Sequence, residues 1–266
     1  MRPSRISALI LVSALLAGCS ATASGHPAAG PTRSRSRPAP ARTPAAPRLP
    51  ADRFTISGSH PVAPNASQDT RAQAGGATCQ RRLLRQDQTL GDTTATGFEL
   101  AGAPTAARLL AHFLAGTGTP VRFGPGSPIA RQARASRPFR TLNRSVQAAI
   151  GARLRAGHRH VQLPAAALPP VLFAGPGSSQ DLYLSFRGTQ GLDVSGGGTI
   201  TRHRYTGTLS YVIADSYGFP PADRLLGVGT AMRYLQVTCG RPQAPGGAHW
   251  FPDTVTVTVP FRQPRS

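Results

Sequence analysis

The chain has 266 residues and a formal net charge of +20, with 39% hydrophobic residues and only three cysteines. This length allows one large domain or two small ones. So basic a chain suggests nucleic acid or anionic lipid as a partner. However, the chain contains arginine and no lysine, and its sequence is rich in Ala, Gly and Pro. Part of the positive charge therefore reflects background composition, and charge alone does not indicate nucleic-acid binding.

The first nineteen residues have the three parts of a secretory signal. Two arginines in residues 1–5 precede an uncharged, mainly apolar run from Ile6 to Leu16, and small residues follow it. Eleven helical residues are too short to cross a bilayer core of about 30 Å. We therefore expect residues 1–18 to be removed rather than retained as a span.

The end of this leader, Leu16-Ala17-Gly18-Cys19, resembles the lipobox of bacterial lipoproteins. The resemblance implies that Cys19 carries a thioether-linked diacylglycerol and becomes the amino terminus. Two acyl chains, such as palmitate, suffice to anchor a protein stably in a membrane. The resemblance thus implies a lipid-anchored protein on the outer, extracytoplasmic face of the cell membrane. The composition, in turn, is similar to that of proteins from GC-rich actinobacterial genomes.

Residues 19–76 are predicted to be a disordered tether. The stretch is rich in Pro, Ala, Ser and Arg, has very few large apolar residues, and cannot bury enough surface to offset the entropy of ordering it. The remaining residues, 77–266, are long enough for one domain with a substantial core.

The first part of this domain shows helical periodicity, and the part after residue 170 shows strand periodicity. Two helices are predicted, within 103–116 and 139–157, each ended by glycine. Alternation predicts strands in 181–186, 199–217, 231–239 and 253–261, with the glycines 196–198 as a turn. The predicted fold is α+β, with two or so helices followed by an antiparallel sheet.

With Cys19 lipidated, Cys79 and Cys239 remain as an even pair in an exported chain. A disulfide between them is expected, and two buried free thiols are the alternative. Since Cys239 ends a predicted strand, the bridge would tie the start of the domain to the sheet.

Nine arginines without any acidic residue lie between residues 120 and 160, at positions 122, 131, 134, 137, 140, 144, 153, 155 and 159. Such a stretch either contacts an anionic wall polymer or lipid headgroups, or forms a solvated helix face. We favour the solvated face, and nucleic acid is not an expected partner.

No Walker loop, dinucleotide fingerprint, nucleophile elbow or zinc-protease motif occurs, and no cofactor is expected. The stretch 175–181 is interpreted as a turn. His158 and His160 would share one face of an extended segment, but two ligands without a nearby carboxylate or cysteine do not make a metal site.

His249, Trp250 and Asp253 follow two glycines and combine an imidazole, an indole and a carboxylate. They either line part of a ligand pocket or plug one end of the sheet.

The strand within 199–217 carries Asp215 and Tyr217 in the same parity as Leu209, Tyr211 and Ile213. A carboxylate turned toward an apolar face either forms structural hydrogen bonds or has a raised pKa that serves binding or catalysis.

The segment Asp215-Ser216-Tyr217-Gly218-Phe219, with Arg224 after it, resembles the Asp-x-Tyr-Asp-Phe strand end and following His-Arg of colicin M type bacteriocins, and residues 111–118 are similar to a helix-to-turn stretch of their relatives. The resemblance implies hydrolysis of a lipid-linked peptidoglycan precursor, with Asp215, Tyr217 and Arg224 as catalytic residues. Gly218 replaces the second acid and no histidine precedes Arg224, so either the activity is absent or other residues supply it.

The sequence therefore favours a non-enzymatic binding or structural domain of the cell envelope. A phosphoesterase of colicin M type and a binder of anionic wall polymer are the alternatives.

Exchange of Cys19 for Ser removes the sulfur to which the acyl chains attach, so we expect the variant to leave the membrane fraction. Fractionation of cells that express each form, followed by immunoblotting, measures the change. Continued membrane attachment of the Ser variant would contradict the lipid anchor.

Overall fold

The computed structural model describes residues 52–62, 78–174, 177–220, 228–240 and 247–265. The leader with Cys19, much of the predicted tether, and Arg224 lie outside these ranges, so the predictions for them stay predictions.

The described part of the chain is a single α+β domain of six strands, six α-helices and one short 3₁₀ turn. The strands are β1 Arg53–His60, β2 Val121–Phe123, β3 His160–Leu163, β4 Gly191–Ile200, β5 Arg204–Tyr217 and β6 Phe251–Pro264. The helices are α1 Arg81–Leu100, α2 Pro104–Leu114, α3 Pro128–Ala135, α4 Arg137–Arg155, α5 Gln180–Phe186 and α6 Val228–Val237, with the 3₁₀ turn at Ala165–Ala167.

The six strands form one mixed sheet in the order β2-β6-β5-β4-β1-β3. The three central pairings, β6 with β5, β5 with β4 and β4 with β1, are antiparallel, as predicted. The two outer pairings, β2 with β6 and β1 with β3, are parallel, which the predicted antiparallel sheet did not include.

The core lies between one face of this sheet and the helices. In β6, Val255, Val257 and Val259 are buried, while the threonines between them are partly exposed, as the alternation predicted. Tyr211 of β5 packs edge-on against Phe139 of α4, and its hydroxyl donates to Asn143 Oδ1 (2.8 Å). The strand parity thus decides which side chains meet the helical layer.

Strand β1 corrects the predicted domain boundary. It lies inside the stretch 19–76 that was interpreted as disordered, yet it pairs with β3 on one side and β4 on the other. Phe54 and Ile56 are 1% and 3% exposed. The segment 53–60 alternates apolar and polar residues, and the Pro- and Ala-rich sequence before it masked this short signal.

The two predicted helices are confirmed as α2 and α4. Pro104 occupies the first turn of α2, and α4 begins after Ser136, whose side chain accepts a hydrogen bond from the Phe139 backbone N–H (3.3 Å).

Two predicted strands are helices instead. Residues 181–186 belong to α5, whose N-cap Ser179 accepts a hydrogen bond from the Leu182 N–H (3.2 Å). Residues 231–237 belong to α6, which buries Val228, Met232 and Leu235 at helical spacing. In such short segments, some apolar residues are two positions apart and others are three or four apart. The pattern therefore fits both a strand and a helix.

The glycines 196–198 lie within β4 and do not form the predicted turn, which comes at residues 201–203. A side chain at Gly196 or Gly198 would collide with the carbonyl oxygens of Thr208 and Thr206 on β5. These glycines therefore permit a close approach of two strands.

The predicted disulfide between Cys79 and Cys239 is present, with the two Cα atoms 5.0 Å apart. Cys239 follows helix α6 and does not end a strand, so the bridge joins the start of α1 to the end of α6. The hydroxyl of Tyr234 reinforces this junction by accepting a hydrogen bond from the Gln80 N–H (2.8 Å).

Among the described residues, none of the helices combines the length and the apolar character that crossing a bilayer requires.

The placement of β1 predicts that Ile56→Ala destabilises the domain. Truncating a fully buried isoleucine should lower the free energy of unfolding by about 2–5 kcal/mol. Urea denaturation followed by the fluorescence of the single tryptophan, Trp250, measures the loss.

Val62→Ala is the matched control, because Val62 is 48% exposed and its truncation should change stability by less than about 0.5 kcal/mol. Equal stability of the two variants would show that β1 does not belong to the folded unit.

Candidate functional site

Two aspartates lie opposite each other on the neighbouring antiparallel strands β5 and β6. The antiparallel register pairs Tyr211 with Val257, Ile213 with Val255, and then Asp215 with Asp253. Because side chains alternate along a strand, both carboxyl groups lie on the same face as the buried apolar pairs before them. The predicted turn of Asp215 toward the core face is confirmed, and the sequence did not predict its partner.

Asp253 is 1% exposed, and neither of its carboxyl oxygens has a hydrogen-bond partner among the described residues. Burial raises the pKa of Asp253 well above its usual range, and the neighbouring Asp215 raises it further. A buried ionised carboxylate without hydrogen bonds is very unfavourable, so burial favours the protonated form of Asp253.

Asp215 is only partly buried and has polar partners. Its Oδ1 accepts hydrogen bonds from the Ser216 backbone N–H (2.8 Å) and from Gln190 Nε2 (3.1 Å). Burial raises the pKa of Asp215 to about 7, although these two hydrogen bonds and the charge of Arg187 act to lower it. The carboxyl group of Asp215 therefore changes its protonation state near neutral pH.

A second buried carboxylate in the domain has a different, structural role. Asp181 accepts hydrogen bonds from the N–H groups of Thr105 (2.8 Å) and Ala106 (3.0 Å) in the first turn of α2, and from Gln132 Nε2 (3.1 Å). Its charge is compensated by backbone donors at a helix amino terminus. The absence of such donors at Asp253, within the described part of the chain, sets the Asp215–Asp253 pair apart.

Asp215 lines a pocket of about 260 Å³ that lies beside the carboxyl end of β5. Helix α5 and the residue after it supply Tyr183, Ser185 and Arg187, while β5 and the segment after it supply residues 215–220. Thr94, Phe98 and Leu110 of α1 and α2, together with Val228 of α6, complete the wall. Asp253 does not line this pocket and lies beside Asp215 on the neighbouring strand β6.

Ser185 is another polar residue of this pocket, and its side chain forms no hydrogen bond with the described part of the protein. The residue is 4% exposed, and its hydroxyl oxygen has no hydrogen-bond partner among the described residues. A buried hydroxyl that lines a pocket and lacks a partner is available to a ligand.

Arg187 is the basic group that acts on Asp215. The predicted partner Arg224 lies in 221–227, outside the described residues, and His249 does not line the pocket. Arg187 was missed because residues 181–186 were interpreted as a strand; as a helix, the same residues place Tyr183 and Arg187 on one side, four positions apart.

The segment after β5 is fixed by two buried polar side chains of α6. Gln236 Oε1 accepts a hydrogen bond from the Phe219 N–H (3.0 Å), and Arg233 Nη1 donates to the Phe219 carbonyl (3.2 Å). Tyr217 stacks on Phe251, its partner across the ladder, with ring centroids 5.4 Å apart. These contacts hold the pocket wall that carries Asp215 and Tyr217.

The predicted grouping of His249, Trp250 and Asp253 divides in the structure. His249 Nδ1 donates to the Trp250 carbonyl (2.6 Å), and the two rings stack with centroids 5.9 Å apart. The backbone N–H of His249 donates to the Phe113 carbonyl (3.2 Å). Neither ring hydrogen-bonds to Asp253, whose carboxyl group lies opposite Asp215.

The segment with His158 and His160 is extended only from His160 onward. His160 lies on β3 and its Nδ1 is 3.0 Å from Thr55 Oγ1, whereas His158 precedes the strand. The described residues contain no group of three or more His, Cys, Asp or Glu side chains arranged to hold a metal ion.

Eight of the nine arginines in the stretch 120–160 are exposed, and Arg159 is partly buried. Arg137, Arg140, Arg144 and Arg155 lie along one side of α4 by helical spacing, away from its buried stripe. These arginines are exposed, which fits both a solvated helix face and a surface that contacts an anionic partner.

Comparison of the chain with known protein families, with curated proteins and with solved structures finds no match.

The raised pKa values predict how stability depends on pH. The folded protein keeps protons on Asp215 and Asp253 that the unfolded chain releases above about pH 4, so the free energy of unfolding should fall as the pH rises from about 4 to about 7. Each retained proton contributes a slope of about 1.4 kcal/mol per pH unit. Asp215→Asn should remove one such proton and flatten the dependence, as measured by urea denaturation at a series of pH values.

Asp193→Asn provides the control, because Asp193 is exposed on β4 and lies outside the pocket. If Asp215→Asn and Asp193→Asn showed the same slope as the unsubstituted protein, Asp215 would not hold a proton in the folded state.

Proposed function

We propose that this chain is a lipid-anchored, extracytoplasmic protein whose α+β domain binds a small ligand in the pocket beside Asp215, without chemically converting it. The observation that carries the proposal is the pocket itself. Asp215, Arg187 and Ser185 line it together with mainly apolar residues, and the Ser185 hydroxyl has no hydrogen-bond partner among the described residues. A concave, mainly apolar site with a few convergent polar groups and a perturbed pKa is the usual form of a ligand site.

Support for the anchor comes from the leader and its lipobox-like ending at Cys19. The segment 20–52 joins Cys19 to strand β1 and spans at most roughly 110 Å when fully extended. The domain would therefore reach ligands near the membrane surface and within the adjacent wall.

Binding is favoured over catalysis because the two carboxyl groups are unequally placed. Asp215 lines the pocket, but Asp253 is fully buried and does not line it. A buried acid that cannot reach a bound molecule does not act as a second acid–base group.

A phosphoesterase is the second candidate, and the pairing of Asp215 with Asp253 favours it. The resemblance to colicin M type proteins lacks an acid at Gly218 and a histidine before Arg224. Asp253 places a second carboxyl group and Arg187 a cation near Asp215 from other parts of the chain. In this alternative the substrate is a lipid-linked envelope precursor, which an anchored domain would meet at the membrane.

The exposed arginines of α3 and α4 suit an accessory contact with anionic headgroups or wall polymer. We assign them this supporting role, because they form a convex helix surface and do not line the described pocket.

Gly188→Leu should abolish ligand binding by filling the pocket. Gly188 lines the pocket, and a Cβ placed there has no atom within 4 Å, so a leucine side chain fits the backbone and occupies the open space. We expect full-length wild-type protein, purified in detergent after incubation with an envelope extract, to retain a small molecule that Gly188→Leu does not. Native mass spectrometry measures the retained mass.

Gly124→Leu is the matched control, since a Cβ at Gly124 also meets no atom within 4 Å and lies away from the pocket. Retention of the same molecule by Gly188→Leu, or by none of the three proteins, would contradict ligand binding at this site. Recovery of a hydrolysed product with wild type, but not with Asp215→Asn, would replace binding by the phosphoesterase.

A further inference from the structure

The polar groups at the floor of the Asp215 pocket act mainly as hydrogen-bond donors. Arg187 has only N–H donors and no acceptor, and the buried hydroxyl of Ser185 has no hydrogen-bond partner among the described residues. Tyr183 adds a phenol to the same wall. Donors that converge on one pocket suit a ligand that offers acceptor oxygens.

The burial of Asp215 strengthens this donor character. Burial raises the pKa of Asp215 to about 7, so its protonated form is well populated near neutral pH. When Asp215 is protonated, it presents an O–H to the pocket while its Oδ1 still accepts from Ser216 and Gln190.

The charge of the protein favours an anionic ligand over a cationic one. The chain carries 30 basic and only 10 acidic residues, so its overall field attracts anions. Within the pocket, a cation at Asp215 would compete with Arg187, whereas an anion would be attracted by Arg187 and would accept the proton of Asp215.

Apart from Thr94, Ser216 and Tyr217, the remaining lining is apolar. It includes Phe98, Leu110, Leu184, Phe219 and Val228, which surround the polar floor. A ligand that fills the pocket must therefore join its anionic head to an apolar body, because an ion alone would leave this surface unmatched.

We propose, on the premise of the proposed function, that the pocket binds an amphiphilic oxyanion, a carboxylate or phosphate attached to an apolar group, whose head is held by Arg187 and Ser185 and shares the proton of Asp215. The ligand binds the protonated form of Asp215, so binding takes up a proton.

Among the described residues, four charged or titratable groups lie near Asp215. Helix α5 and the residue after it contribute Tyr183 and Arg187, β6 contributes Asp253, and β5 itself contributes Tyr217. The lining residues of α1, α2 and α6 carry no titratable group. Asp223 and Arg224 lie in 221–227, outside the described residues.

Calorimetric titration of the full chain with three probes tests this assignment. Phenylacetate and phenyl phosphate carry the two oxyanion heads, and phenethylamine carries a cation on the same apolar body. We expect both anions to bind and phenethylamine not to bind. Comparison of phenylacetate with phenyl phosphate at one pH tells which head the pocket prefers.

Phenylacetate is ionised at both about pH 6 and about pH 8, so a change in its affinity reports the protein. With Asp215 titrating at about 7, the competent protonated form falls roughly tenfold across this range, and the dissociation constant should rise about tenfold. Asp215→Asn cannot ionise, and its amide still donates, so it should bind phenylacetate with little dependence on pH.

Arg187→Met should weaken both anions at least about tenfold, while Arg187→Lys, which keeps the charge, should retain most of the affinity. Asp193→Asn and Arg140→Met are the matched controls outside the pocket. Urea unfolding of each variant confirms that it is folded.

The assignment is overturned if phenethylamine binds more tightly than the anions, if the pH dependence persists in Asp215→Asn, or if Arg187→Met binds as wild type does. It is also overturned if no anionic probe binds while Gly188→Leu still abolishes retention of an envelope molecule, an outcome that leaves the proposed ligand pocket intact. Failure of both experiments overturns the pocket as well.

Discussion

The register between β5 and β6 is the constraint on which the candidate site depends. Two apolar pairs, Tyr211 with Val257 and Ile213 with Val255, fix this register because they are buried against the helices. A shift by one residue would turn each strand's apolar set toward the open face of the sheet. With the register fixed, Asp215 and Asp253 become neighbours although both have a raised pKa there. The apolar ladder thus stabilises an arrangement that the two acids alone would not adopt.

The helical layer converts this acid pair into a site. Asp181 of α5 binds the amino terminus of α2, and this contact positions α5 across the end of β5. Helix α5 thereby brings Ser185 and Arg187 to the pocket that Asp215 lines. On the opposite wall, Gln236 and Arg233 hold Phe219 from α6, which the disulfide joins to α1. The pocket is therefore built from helices that are themselves cross-connected.

Sequence patterns predicted several long elements, missed the 20-residue helix α1 and the ten-residue strand β4, and assigned two short helices to strands. Helices α2 and α4 and strands β5 and β6 repeat one period over enough residues to exclude the other. In α5 and α6, the short apolar segments fit both periods, and at α5 the capping residue Ser179 favoured the helix. Because residues 181–186 were assigned to a strand, Arg187 had no predicted place beside Asp215, and the candidate site lacked its basic group.

The sequence by itself determined which side chains share a face of a strand, since alternation is a local property of extended backbone. It therefore placed Asp215 and Tyr217 on the core face and predicted the Cys79–Cys239 bridge. Only the tertiary structure decided which strands become neighbours, because pairing depends on packing between residues that are distant along the chain. That packing inserted β1 between β3 and β4, set Asp253 opposite Asp215, and brought Asp215 and Arg187 together in one pocket.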